Sequence, residues 1–358
     1  MESHRTPHVT PPDTGHTINR HTTMIDKENY SLLGHNTFGI EAKCRRYVEF
    51  ASTEEAVMTL PDICKDNYII IGGGSNVLFT KDYDGTVIRS GITGIEEHVA
   101  DGHVIIRCGS GENWDGIVAY CVGKGYYGAE NLSLIPGDAG ASAVQNIGAY
   151  GAEVKDLIET VEAVEIATGR LVTFTNADCQ YAYRHSRFKT EWKNKFFITH
   201  VSYRLSLNFN PNLDYGNIRK TLEEKGISNP TASQLRDTVI EIRRAKLPDP
   251  EIQGNAGSFF MNPIVGKDTY DHLASLYENM PHYPVSEDKV KIPAGWLIEQ
   301  CGWKGKSLDK AGVHDKQALV LVNRGGATGN DIVTLCETIR HDVKEKFGID
   351  IHPEVNII

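Results

Sequence analysis

Three short stretches carry residues suited to proton transfer and anion handling. Tyr181-Ala-Tyr-Arg-His-Ser-Arg-Phe-Lys189 sets two tyrosines, two arginines and a lysine beside apolar strands. Arg184 can offer a forked pair of donors to a carboxylate; an ordinary surface cation fits the same residue, and His185 reads as a surface or structural histidine. Gly254-Asn-Ala-Gly-Ser-Phe-Phe-Met-Asn-Pro263 flanks Ser258 with a glycine and two aromatics. No G-x-S-x-G elbow surrounds it, so without an attached base its hydroxyl suits proton donation better than nucleophilic attack. A turn serine is an equal alternative. In His352-Pro-Glu-Val355 a lone carboxylate, Glu354, stands among apolar residues. Buried, it needs a partner or a raised pKa; solvated, it is an ordinary charged residue near the chain end.

Two glycine-rich stretches could hold an anionic ligand. Tyr68 to Ile71 is an apolar strand running into Gly72-Gly73-Gly74-Ser75-Asn76, and the apolar run Val77 to Phe79 follows at once. Glycines allow positive φ and close backbone approach, and successive N–H groups in such a turn form an anion nest. A strand pattern follows, so this is neither a Rossmann fingerprint nor a P-loop; a hairpin turn remains the alternative. Ile135 to Gly151 holds four glycines and four alanines, with Ser142, Gln145 and Asn146 among them. Two such loops favour a dinucleotide held without a Rossmann unit, against a tightly packed surface loop.

Composition narrows the classes. The 358 residues allow two or three domains, and 40% hydrophobic with 23% charged residues is ordinary for a globular protein. A net charge of −10 argues against broad nucleic-acid or acidic-membrane binding while leaving room for a local basic pocket. Seven cysteines without C-x-x-C read as reduced thiols of a cytoplasmic protein. No apolar run approaches a membrane span, no signal-peptide core opens the chain, and no metal site is expected.

The elements that must position these residues are legible in part. Residues 1–23 are polar and read as a disordered extension; their four histidines are too irregular for a metal site. Arg46 to Phe50 alternates as a strand, Ser52 with Glu55 suggests a capping box, and Asp84-Gly85 suggests a tight turn before the strand Thr86 to Arg89. Together these make a small α+β unit. Next come the strand His103 to Arg107 and a helix capped by Asn113 and stopped at Gly123 and Gly125. Asn131 to Tyr150 reads as loop. Strands at 161–166, 171–174 and 197–207 complete a sheet-rich α+β region. A helix spans Ser233 to Arg244, and Lys246-Leu-Pro-Asp-Pro250 marks a domain boundary. Helices at 268–278, 294–301 and 331–347, the last stopped by Gly348, surround a short buried strand at 318–322.

Taken together the motifs resemble the UDP-N-acetylenolpyruvoylglucosamine reductase family. They are Gly-Gly-Gly-Ser-Asn (72–76), Ile-Pro-Gly (135–137) with Gln-Asn-Ile-Gly-Ala-Tyr-Gly (145–151), Tyr-Arg-x-Ser-x-Phe-Lys (183–189), Lys-Leu-Pro-Asp-Pro (246–250), Gly-Asn-Ala-Gly-Ser-Phe-Phe (254–260), Ala-Gly-Trp-Leu-Ile (294–298) and Pro-Glu-Val (353–355). Each is weak alone; all seven in order are specific, and the match runs from Asn36 to the C-terminus. The resemblance implies an α+β fold with an FAD-binding region of the PCMH or vanillyl-alcohol-oxidase type over about 38–208. Its subdomains would be 24–93 and 94–245, with a substrate domain at 246–348 and a tail, 349–358, returning to the active site. It implies NADPH-dependent reduction of UDP-N-acetylglucosamine enolpyruvate to UDP-N-acetylmuramate through FAD, in cell-wall synthesis, by a monomer.

The resemblance also implies residue roles. Arg184 and Glu354 would polarise the enolpyruvyl carboxylate, and Ser258 would donate the proton. Gly72, Gly73, Gly74, Ser75, Asn76, Pro136, Gly137, Gln145, Asn146, Gly148, Ala149 and Tyr150 would hold FAD. Tyr215, from the tyrosine loop of the longer subtype, would fold onto the nucleotide; Lys246 and Asn262 would hold the UDP portion, with Tyr183 also at the substrate. Met261 stands where the family usually has Lys, Val144 where it has Pro, and His352 where an acidic residue is frequent. These departures bear on affinity more than on the reaction. Rival readings are another flavin enzyme of the same fold, against which the Arg184, Ser258 and Glu354 set argues, and a nucleotide-sugar-binding protein without turnover.

Overall fold

Ser52 starts the first helix, Thr53–Ile63, by accepting a hydrogen bond from the Glu55 N–H at 3.2 Å. The expected reciprocal bond is displaced by one residue: Glu55 accepts from Ala51 N–H at 2.8 Å. The computed structural model describes residues 23–358, so the expected extension and its four histidines lie outside the described residues, Thr23 aside. The helix packs on a four-stranded sheet ordered Ile25–Ser31, Lys43–Phe50, Tyr83–Ser90, Tyr68–Ile71. The first pair is antiparallel and the other two pairs are parallel.

The expected turn at Asp84-Gly85 is absent, because both residues lie inside the strand Tyr83–Ser90. Its pairing runs from Cys44 opposite Tyr83 to Arg46 opposite Thr86, a bulge that absorbs an extra residue there. A Cβ at Gly85 would press on the Asn67 carbonyl at 2.6 Å. The glycine therefore serves a close chain approach rather than a turn.

The second unit is a five-stranded antiparallel sheet ordered Leu171–Thr175, Ile158–Glu165, Phe196–Ser206, His103–Gly109, Ile95–Ala100. The helix Trp114–Lys124 covers it, capped by Asn113 and closed by Gly125 at φ 77°. A second covering helix, Ala139–Gln145, replaces the loop expected there. Its composition, Ala-Gly-Ala-Ser-Ala-Val-Gln, hid it, since it has no large apolar stripe. The small side chains allow close packing instead: Ser142 Oγ lies 2.9 Å from Tyr203 Oη, and a Cβ on Gly140 would meet Ser110 at 2.9 Å. The two sheets share a core in which Phe50 and Phe197 meet edge to face.

The helix Ala232–Lys246 opens with a full capping box between Thr231 and Gln234. Arg236 joins it to the second unit through Asp115, at 2.6 and 2.9 Å. Beyond it, helices Lys267–Leu276, Ala294–Gln300 and Gly329–Phe347 enclose strands Ala311–Val313 and Leu321–Asn323. The long helix ends at Gly348 with φ 68°, as its sequence signals. This core also takes in Phe38, Ile40 and Leu78 from the first unit, so the chain just after the glycine turn is packed into it.

Candidate active site

The glycine turn is the point from which the site is built. Gly74 has φ +70°, and a Cβ there would collide with the His35 carbonyl. Only glycine fits this close approach. Next to it, Thr37 N–H donates to the Gly74 carbonyl at 3.1 Å, and Thr37 Oγ1 donates to the Asn255 carbonyl at 2.6 Å. The Asn36-Thr-Phe-Gly39 segment is thus a brace between the glycine turn and the loop that carries Ser258.

Gly72 and Gly73 face the second glycine-rich segment. A Cβ on Gly72 would lie 3.0 Å from Ala141 Cβ, and one on Gly73 would lie 3.2 Å from Asp138 Oδ1. Ser75 Oγ donates to the Pro136 carbonyl at 3.3 Å. A cavity of about 260 Å³ opens at this junction, bordered by Gly72 to Asn76, Asp138, Ala141, Gln145, Lys189 and Phe197. Backbone this bare of side chains, with serine and asparagine at its end, fits a diphosphate-bearing cofactor. Burial pushes the Asp138 carboxyl upward in pKa, opposed by Arg89, whose Nη2 lies 3.5 Å away.

Arg184 and Glu354 do not border this cavity themselves but come together behind two residues that do, Gln145 and Lys189. Arg184 Nε lies 3.0 Å from Glu354 Oε1, with the side chains 20% and 11% exposed. Glu354 is therefore neither solvated nor unpaired. Gln145 Nε2 donates to the same oxygen at 2.9 Å. The Arg184 Nη atoms donate to the carbonyls of Gly148 at 2.9 Å and Asn146 at 3.4 Å, and the residue holds a left-handed φ of 54°. Lys189 Nζ donates to the Arg184 carbonyl at 3.0 Å. Burial lowers the Lys189 pKa, Arg184 acts in the same direction, and Glu354 opposes both.

Ser258 reaches the same place by chain pairing. The Glu354 N–H donates to the Phe259 carbonyl at 2.7 Å, and Phe260 bridges Pro353. Phe259 and Phe260 are buried, but Ser258 itself is exposed, and its hydroxyl enters no hydrogen bond among the described residues. It is open to an arriving ligand. Met261 and His352, the two unusual residues here, meet only through their backbones, at 2.9 Å.

The residues expected at the nucleotide end separate into two groups. Tyr183, Asn262 and Tyr215 gather. Asn262 Nδ2 donates to Tyr183 Oη at 3.3 Å, and Tyr215 stacks on Tyr283 at 6.3 Å with planes 17° apart. Lys291 Nζ sits 4.5 Å from the Tyr183 ring centroid and 5.6 Å from that of Tyr283. Burial pushes Tyr215 up to about 12. Lys246 is the exposed last residue of its helix and joins no ion pair among the described residues.

Some expected contacts have internal duties. Asn146 is fully buried, its side chain bonded to Ala182, Glu153 and Lys155. Gly148 and Ala149 form one strand of a small hairpin, while Tyr150, at φ 49°, packs among Ile218, Leu222 and Leu235. The sequence reading named Lys189 with Arg184 and Lys246 as a local basic patch, and missed Asp138 at the cavity and Tyr283 and Lys291 at the aromatic cluster. Asp138 stood in the glycine-rich stretch 135–151 and could have been found; Tyr283 and Lys291 carry no local signal.

Known proteins resemble this chain over nearly its whole length. A family model described as FAD binding domain matches residues 45–175, and one described as UDP-N-acetylenolpyruvoylglucosamine reductase, C-terminal domain, matches 249–358. The UDP-N-acetylenolpyruvoylglucosamine reductase of Bacteroides fragilis YCH46 is 52% identical over 340 residues, covering 93% of this chain and all of that protein. That of Porphyromonas gingivalis ATCC 33277 is 47% identical over 342 residues, covering 94% and 100%. The crystal structure of the Thermus caldophilus reductase superposes with a TM-score of 0.64 at 20% identity, over 93% of this chain and 98% of that one, a likeness of fold. On the strength of the near-full-length identities, the chain belongs to the UDP-N-acetylenolpyruvoylglucosamine reductase family.

Proposed function

We propose that this chain reduces the enolpyruvyl double bond of UDP-N-acetylglucosamine enolpyruvate, giving UDP-N-acetylmuramate for peptidoglycan synthesis, with NADPH as reductant and FAD as carrier. The observation that carries the reading is the meeting of Arg184 and Glu354 at 3.0 Å, on the chain segment paired to the one that bears Ser258. Bound FAD supplies the hydride relay, from NADPH to the double bond.

The chain's own residues supply binding, orientation and the proton. The bare backbone of Gly72 and Gly73 receives the cofactor's pyrophosphate at the cavity. Arg184 places a fixed positive charge against the enolpyruvyl carboxylate, where negative charge grows as hydride arrives at the terminal carbon. Such preorganised charge typically contributes on the order of 100- to 1000-fold in rate. Glu354 and the carbonyls of Gly148 and Asn146 hold the guanidinium in place. The Ser258 hydroxyl then gives its proton to the carbon beside the carboxylate, and exposure lets solvent replace that proton. Tyr215, Tyr283 and Lys291 present flat faces and a cation to the nucleotide, with Tyr183 and Asn262 beside them.

No helix among the described residues is long and apolar enough to cross a membrane. The proposal places the protein in the cytoplasm as a monomer engaging neither membrane nor nucleic acid, and the net charge of −10 weighs against broad acidic-membrane or nucleic-acid binding. The domain limits at 93/94, 245/246 and 348/349 belong to the same proposal. The test is isotopic: NADPH deuterated on its transferable position should leave one deuterium in UDP-N-acetylmuramate. NADPH consumption with unlabelled or unchanged substrate contradicts the reading.

A further inference from the structure

The glycine turn has a second face. Asn76 borders the cavity with Gly72 and Gly73 and is also bonded to the segment that carries Glu354. Its Nδ2 donates to the Glu354 carbonyl at 3.3 Å. Its own carbonyl accepts from the Asn356 backbone at 3.1 Å and from Asn356 Nδ2 at 3.0 Å. The two chains then run on as a parallel pair, Asn356 opposite Val77 and Ile357 opposite Leu78. On its other side Glu354 is held by the Phe259 carbonyl and Gln145. Glu354 is therefore held through its backbone by the cofactor turn and the serine loop, and through its carboxylate by Gln145 of the helix Ala139–Gln145.

We propose that Asn76 is a positioning residue for Glu354, so that the turn receiving the cofactor also sets the carboxylate that orients Arg184. The proposal rests on the role given to Glu354 above. A catalytic group displaced by about 1 Å loses on the order of 100-fold in rate, and Asn76 restrains both the carbonyl of Glu354 and the chain two residues beyond it. The turn and the carboxylate are thus coupled without a shared ligand.

The holoenzyme tests this by separating its half-reactions. Because Asn76 also borders the cofactor cavity, both half-reactions are compared on the flavin-loaded fraction: reoxidation of Asn76→Ala by substrate should slow about 10- to 100-fold, and far more than reduction by NADPH. Glu354→Gln should slow the same half-reaction, and the double variant should be no slower than Glu354→Gln alone. Additive losses, equal slowing of both half-reactions, or loss of FAD with normal rates in the flavin that remains would overturn the positioning role. Hydrogen exchange reads the coupling independently of Glu354's chemistry: amides of Glu354 to Ile358 should exchange faster in Asn76→Ala. Unchanged exchange refutes the coupling even if Glu354→Gln is slow. Conversely, faster exchange with an unimpaired Glu354→Gln upholds the coupling and refutes the role given to Glu354. Should Asn76→Ala fold poorly, Asn76→Asp removes the donor at nearly constant size and is read in the same way.

Discussion

Arg184 Nε and Glu354 Oε1 stand 3.0 Å apart, and Gln145 Nε2 reaches the same carboxylate oxygen at 2.9 Å. Residues from the second sheet unit, a short helix and the far end of the chain thereby meet in one polar cluster beside a glycine-lined cavity.

Substitution of Arg184 should act on the chemical step. Arg184→Lys retains a charge but cannot span both the Gly148 carbonyl and Glu354. Reoxidation of reduced enzyme by substrate should slow by about 100-fold or more, with reduction by NADPH little changed. Rapid-mixing absorbance measures both steps, and a full-rate reoxidation would remove Arg184 from the mechanism.

Ser258→Ala should slow reoxidation by about 100- to 10,000-fold and leave NADPH reduction intact. Because Ser258 is exposed and its hydroxyl forms no hydrogen bond among the described residues, folding stability should be within about 0.5 kcal/mol of wild type. Comparable losses in both half-reactions, or a large fall in melting temperature, would refute the proton-donor role.

Gly74→Ala tests the turn itself. Its φ of +70° and the nearby His35 carbonyl leave no room for a methyl group. Backbone strain should cost about 1–3 kcal/mol and lower FAD occupancy together with stability. Denaturant titration and flavin content on the purified variant decide this, and unchanged values in both would show the turn to be more tolerant than the geometry allows.

The pair Arg236–Asp115 ties the helix Ala232–Lys246 to the second unit, with side chains only 13% and 24% exposed. Burial alone would raise the Asp115 pKa, but Arg236 and the Leu134 N–H outweigh it, and the net shift is downward. A carboxyl with a lowered folded pKa stabilises the fold above its unfolded pKa, about 3.9. That contribution is lost as pH falls through the folded value. Arg236→Ala should destabilise by about 3 kcal/mol at neutral pH and by much less near pH 2. Unfolding curves at the two pH values measure the difference, and an equal loss at both would contradict the assignment.

Much of the candidate site was legible because its motifs are local. The glycine turn, Arg184, Ser258 and Glu354 each sit in a short distinctive stretch. What brings them together was not, because the contacts span distant segments: Thr37 to Asn255, Gln145 to Glu354, Asn76 to Asn356. Strand Ile25–Ser31 escaped notice because Ile-Asp-Lys-Glu-Asn-Tyr-Ser is an exposed edge whose pairing, not burial, makes it a strand. Helix Ala139–Gln145 escaped because its packing uses absent side chains rather than apolar ones. Asn146 was read as a ligand contact from its motif, and its side chain turns out to be committed within the protein. Motif reading does not distinguish residues that touch a ligand from those that hold the loop.

The central claim is that one cavity carries reducing equivalents from NADPH to the enolpyruvyl double bond. Purified protein with its flavin, mixed with NADPH without oxygen, should lose its yellow absorbance. Addition of UDP-N-acetylglucosamine enolpyruvate should then restore that absorbance and yield an equal amount of UDP-N-acetylmuramate. Flavin that stays yellow with NADPH, or stays bleached after the substrate is added, would contradict the account.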